Sequence, residues 1–183
     1  MFGFAGSLIF SRRRETISSI IIDGYNLIGT THGDLSAHRE KLILLLSEYR
    51  KLKAHDITIV FDGWKSGGSR EETLKTGGIS VIYSRLGENA DYVIKRIIGR
   101  EKKEWIVVSS DRDVAAFAWA NGCIAVPSAH FMAVIDRAGS HIEGEYELLD
   151  KDEYEGQGSR HGRGNPRMLS KKEKALARAL KKL

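Results

Sequence analysis

Two rhythms of apolar and polar positions run through this chain. Short runs of branched apolar residues alternate with longer stretches in which apolar residues recur every three or four positions. The first rhythm predicts strands over Ile17–Ile22, Ile57–Phe61, Ile79–Tyr83, Trp105–Ser109 and Cys123–Val126. The second predicts helices over Leu35–Lys53, Asn89–Glu101 and Val114–Ala120, with a short one from Ser128 to Ile135. Asp34 or Ser36 can cap the first helix. Its buried stripe is read as Leu35, Leu42, Leu45, Leu46, Tyr49 and Leu52, and Ile43 and Leu44 widen it enough to cover the middle of the helix on most sides. Residues 63–78 hold five glycines and little apolar content, and are read as one long loop. Asn121-Gly122 closes the helix before it.

Strands alternating with helices predict an α/β fold: a mostly parallel sheet of about five strands, covered by helices on both faces. Right-handed crossovers then bring every strand's C-terminal end to one edge. Three apolar strands deliver an aspartate there: Asp23 after Ile20-Ile21-Ile22, Asp62 after Ile57–Phe61, and Asp111 after Trp105–Ser110. A single Asp-Gly after a strand reads most simply as a turn. The recurrence favours a ligand site, because open α/β sheets bind ligands at this edge. Gly24 permits a sharp turn after Asp23, and Asn26 offers both a donor and an acceptor.

Composition narrows the classes. Hydrophobic residues make up 42% of 183, enough for one buried core. Mean hydropathy is −0.29, and no stretch has the length of a membrane-spanning helix, so no membrane partner is expected. One cysteine, Cys123, rules out an internal disulfide framework and suits a reducing, cytoplasmic setting. Residues 1–16 are read as a disordered basic lead-in, since Arg12-Arg13-Arg14 follows the apolar stretch rather than preceding it as in a secretory signal. Charge is uneven: the net +5 is carried by residues 151–183, which hold ten Lys/Arg against four Asp/Glu. Residues 151–168 are read as a flexible basic linker, and 169–183 as a basic helix opened by the capping box Ser170-Lys171-Lys172-Glu173.

The carboxylates Asp23, Asp62, Glu88, Asp91, Asp111 and Asp113 carry the chemistry. Glu88 and Asp91, three apart at a helix start, are expected to share one face. Acids gathered at one edge repel one another, and a divalent cation relieves that cost. Oxygen-only donors without a Cys or His cluster favour Mg²⁺ or Mn²⁺ over Zn²⁺. A phosphodiester suits such a site. Capping of the helices that follow is the plainer reading of Glu88, Asp91, Asp111 and Asp113, and is compatible with metal binding. The six histidines show no ligand spacing. No GxxxxGK[ST] occurs in the glycine-rich stretch.

Asp23-Gly24-Tyr25-Asn26, Asn89-Ala90-Asp91 and Val108-Ser109-Ser110-Asp111-Arg112-Asp113 resemble the NYN branch of the PIN-like nuclease superfamily, in particular its bacterial stand-alone ribonucleases. The resemblance covers Ile17 to Glu147, within a domain bounded at 17–150. It implies a PIN-like three-layer α/β/α fold and endonucleolytic cleavage of RNA with Mg²⁺ or Mn²⁺. It maps the metal onto Asp23, Asp91 and Asp111, with Asp62, Glu88 and Asp113 as companions. Asn26 matches the motif asparagine and, with Ser110, would orient groups nearby. Some members act on mRNA within the ribosome, which makes the ribosome an implied partner.

The basic tail lies outside that resemblance. Lys171, Lys172, Lys174 and Arg178 are candidate RNA contacts, and Arg39, Lys95 and Arg96 are candidates on the domain. A solvated, functionless tail is the plain alternative. The rival for the whole chain is a non-catalytic RNA- or ribosome-binding protein on the same scaffold. An aspartyl-phosphate phosphatase is disfavoured, since Tyr25 stands where a second acid is needed, and no glycine fingerprint marks a dinucleotide site. Oligomeric state is not legible.

Overall fold

The computed structural model describes residues 17–29, 34–63, 69–101, 103–139 and 170–183. Its centre is β1 (Ser19–Asp23), whose Ile20, Ile21 and Ile22 are wholly buried. Parallel ladders join it to β2 (Asp56–Phe61) on one side and β5 (Trp105–Val108) on the other. Beyond β2 lies β4 (Ile79–Tyr83), and beyond β5 lies β6 (Ile124–Val126), both parallel. The remaining strand, β3 (Glu72–Thr76), pairs antiparallel with β4, so the order is β3-β4-β2-β1-β5-β6.

Among the described residues the sheet thus has six strands rather than about five, because part of the expected 63–78 loop is β3. Every side chain of β3 is exposed, so the strand has no apolar rhythm to read. Its backbone ladder and the turn at Gly77-Gly78 hold it. Both glycines have positive φ (58° and 83°), as a two-residue hairpin turn that follows the sheet's twist requires.

Helices cover both faces. Side chains alternate across a strand, so Ile20, Ile22, Ile57, Ile59 and Phe61 meet α1 (Gly24–Ile28), α2 (Leu35–Lys53), α5 (Ser128–Gly139) and α6 (Lys171–Lys182). Ile21, Val60, Trp105 and Val107 face α3 (Ala90–Arg100) and α4 (Arg112–Ala120). This is the three-layer α/β/α arrangement of a PIN-like fold. Cys123 is buried and unpaired.

Three local readings change. Ile17 is 70% exposed, because the ladder begins at Ser19. Leu44 and Leu52 also face outward. Leu44 sits two residues from both Leu42 and Leu46, on the opposite side of the helix, and Leu52 is roughly 240° round from Leu46. Only one side of α2 is therefore covered. The short helix extends to Gly139 instead of ending near Ile135. The expected lead-in (1–16) and linker (151–168) lie outside the described residues.

α6 packs on the domain through its leucine stripe. Ala179 and Leu183 are buried, Leu176 and Leu180 are partly so, and the buried Tyr49 hydroxyl donates to the Leu183 main-chain oxygen at 2.6 Å. The chain's path places the switch point at β1: it leaves toward β2 and β4, then returns through α3 to β5 on the other side. Asp23 and Asp111 stand at the C-terminal ends there, where open α/β sheets bind ligands.

Candidate active site at the carboxylate edge

Asp23 ends β1 and caps α1. One carboxylate oxygen accepts from the Asn26 N–H (3.1 Å), the other from the Ser109 hydroxyl (3.3 Å). The side chain is buried, and that burial pushes its pKa from 3.8 up to about 6. The two hydrogen bonds oppose the rise, while repulsion from Asp91 and Asp62 adds to it. Gly24 follows because Phe61 lies against it: a Cβ here would sit 2.3 Å from the Phe61 ring. Close approach, more than sharp turning, is what requires a glycine at this position.

Asp62 leaves β2 and accepts from the Ala90 N–H at the start of α3. Asp91 sits in the first turn of α3. Its pKa is raised, first by burial and then by Asp111, with smaller contributions from Asp62 and Asp113, while Lys95 opposes the rise. Asp111 is the N-cap of α4 and accepts from the Asp113 and Val114 N–H groups at 2.7 and 2.9 Å. Capping and membership of the acidic edge coincide in this residue. Asp113 is exposed and pairs with Lys95.

Glu88 departs from expectation. Asn89 is the N-cap of α3 in extended conformation, so Glu88 lies outside the helix and the three-residue spacing no longer gives it the face of Asp91. It is buried toward Arg96 (3.4 Å) and Arg85 (3.7 Å). Arg96 is engaged by Glu88 and Glu71. Arg39 donates to the Tyr25 hydroxyl (3.0 Å) and to Ser36 (3.2 Å), and its guanidinium lies over the Tyr83 ring. Lys171, Lys172, Lys174 and Arg178 are exposed on α6.

Two serines escaped the sequence reading as site residues. Ser109 donates to Asp23 and its oxygen accepts from the Asp111 N–H (3.1 Å), which links the two acids directly. Ser128 donates to the Asn26 side-chain oxygen (2.6 Å), which also accepts from the Ser110 N–H (2.7 Å). The Ser110 hydroxyl in turn accepts from the Ser128 N–H (3.1 Å). Asn26 therefore ties β1 to the ends of β5 and β6, and its amide NH₂ is left as its donor. A serine directly before Ser110-Asp111 at a strand end was the available signal for Ser109.

Among the described residues, no three His, Cys, Asp or Glu side chains stand close enough to form a ready metal cage. The donors nonetheless fit a hard cation. They are all oxygen, and the most buried of them is forced toward protonation by burial and by its neighbours. An ion that keeps several waters suits such an open set.

A model of the YacP-like NYN domain matches residues 20–177. The chain belongs to this family. The match runs past Glu147 and into α6, so the family's span includes most of the helix that the motifs alone left outside. Membership brings a nuclease-type, RNA-related function. No curated protein matches the sequence. Among solved structures, Rae1 (YacP) from Bacillus subtilis is similar at 20% identity and a TM-score of 0.58, over 69% of this chain and 78% of that one. A tryptophan-to-leucine mutant of the same protein matches at 20% identity and 0.56, over 69% and 80%. At this identity the two structures speak to the fold, and they agree with the PIN-like arrangement. Among the described residues no helix is long and apolar enough to cross a membrane.

Proposed function

We propose that this protein is a metal-dependent endoribonuclease that hydrolyses RNA phosphodiester bonds, with its site at the carboxylate edge. The observation that carries the proposal is Asp23: a buried carboxyl at the switch point, with its pKa pushed up to about 6 by burial and by Asp91 and Asp62. A group so placed costs stability unless a cation shares its charge.

Asp23, Asp91 and Asp111 would hold Mg²⁺ or Mn²⁺, with Asp62 and Asp113 as outer companions. Glu88 remains a candidate from the resemblance, but its ion pairs with Arg96 and Arg85 make it the weakest of the set. When bound, the ion supplies positive charge to the phosphodiester oxygens and acidifies water. The chain's own residues do the rest. Ser109 holds Asp23 and Asp111 in register. Asn26, fixed through Ser110 and Ser128, presents its NH₂ to a substrate oxygen. Lys95 stands beside Asp113 at the rim, where a flanking phosphate can compete for it. Arg39, held by Tyr25 and Tyr83, serves the same purpose on the other side. Lys171, Lys172, Lys174 and Arg178 extend the grip along α6. Ribosome-bound mRNA as substrate follows from the resemblance, a cytoplasmic location from the single cysteine, and both belong to the same proposal.

The test is cleavage of labelled RNA, free and ribosome-bound, with Mn²⁺, Mg²⁺ or EDTA. Cutting that requires the metal supports the proposal. Salt-sensitive binding without cutting of either RNA would favour the non-catalytic alternative.

A further inference from the structure

A cavity lies along α3, and none of Asp23, Asp62, Asp91 and Asp111 lines it. It measures about 590 Å³, and its walls include Glu71, Arg85, Glu88, Tyr92, Arg96 and Arg100. Tyr92 is aromatic yet 56% exposed. The Arg96 guanidinium lies 5.9 Å from its ring centroid, and Glu71 and Glu88 anchor that guanidinium in turn. The ring is thus backed by a fixed cation, with an open face left over. Arg85 and Arg100 are exposed at the rim. Glu88 is buried and ion-paired to Arg96 (3.4 Å) and to Arg85 (3.7 Å), which fixes the wall behind the ring.

An exposed aromatic face and rim arginines are two things an unstacked nucleotide uses. The base stacks on the ring and the phosphate meets guanidinium. The neighbouring acid completes the argument. Asp91 and Tyr92 are consecutive in the first turn of α3, about 3.8 Å apart at Cα, so one strand can reach both sites.

We infer that this cavity is a subsite for one unstacked nucleotide of a single-stranded RNA whose cleaved phosphodiester lies at the carboxylate edge. The inference rests on the ribonuclease reading and names a part of substrate recognition that the acids themselves do not supply.

The experiment is fluorescence anisotropy of the full chain with a labelled single-stranded RNA of mixed sequence, in EDTA so that nothing is cut. Tyr92→Ala should weaken binding about tenfold or more, and Tyr92→Trp should retain it. Arg85→Ala with Arg100→Ala should flatten the salt dependence. A duplex of the same sequence, whose bases are stacked, should bind wild type and Tyr92→Ala alike. Unchanged single-strand affinity in Tyr92→Ala, or equal losses for single strand and duplex, would overturn the subsite. Because binding is read without cleavage, an inactive wild type that shows the Tyr92 effect sinks the nuclease reading alone. A wild type that binds no single-stranded RNA sinks the subsite whatever its cleavage activity.

Discussion

At Asp23 two demands conflict. Holding the carboxylate out of water at neutral pH costs about 3 kcal/mol, the equivalent of a pKa displaced from 3.8 to about 6. The strand that carries it buries Ile20, Ile21 and Ile22, each contributing about 1.5–3 kcal/mol, so the strand wins and the acid stays where the strand puts it. The sign of the pH dependence follows. The folded protein holds this proton more tightly than the unfolded chain. The associated stability is therefore present in full below about pH 4 and is lost as pH rises through about 6. Asp91, also raised, acts in the same direction. Asp23→Asn should consequently raise the unfolding free energy at pH 7.5 in EDTA by up to about 3 kcal/mol and flatten the decline between pH 4 and 7. Denaturant unfolding across that range measures it; a destabilised Asp23→Asn at pH 7.5 would show that the carboxylate is not under electrostatic cost. Mn²⁺ should stabilise the wild type and leave the variant unmoved.

At the scale of elements, α6 separates two roles that its sequence mixes. The leucine stripe and Ala179 hold it on the sheet, while its lysines and Arg178 face outward. Ala179→Asp, placing a charge at a fully buried position, should lower stability by about 3 kcal/mol or more. Replacing Lys171, Lys172, Lys174 and Arg178 by Gln together should leave the melting temperature nearly unchanged. It should also weaken RNA binding, with the slope of log affinity against log salt falling by about 0.7 for each phosphate that is no longer neutralised. A fall in melting temperature as large as that of Ala179→Asp would mean that these charges serve the fold. What was legible here depended on burial. The stripe of Leu176, Leu180 and Leu183 could be read because a half-buried helix must repeat its apolar residues. β3 could not be read that way, since Glu72–Thr76 buries nothing, and the only trace it left was the Gly77-Gly78 turn. The outward positions of Leu44 and Leu52 were equally hidden, because a leucine does not say which side of α2 the sheet occupies.

For the molecule as a whole, topology turns scattered acids into one edge. Asp23, Asp62, Asp91 and Asp111 are separated by as many as 88 residues, yet parallel strands and the helices that follow them return each to the same end of the sheet. For Asp23, Asp62 and Asp111 that gathering was predictable from the strand ends, and for Asp91 from the start of α3. The division of labour within it was not. Glu88 turned to Arg96 because Asn89, one residue later, is the helix cap. The links made by Ser109 and Ser128 run between β1, β5 and β6, neighbours in the sheet that are distant in sequence. On the proposed reading, one buried acid, held by its neighbours at the switch point, would make the chain a metal-dependent ribonuclease. The most direct test of that reading is cleavage of a labelled single-stranded RNA by wild type and Asp23→Asn, side by side, in Mn²⁺ and in EDTA. The account predicts cutting by wild type in Mn²⁺ and none in EDTA, with Asp23→Asn folded and slower in Mn²⁺ by at least about a hundredfold. Equal cutting by the two proteins, or cutting that survives EDTA, would contradict it.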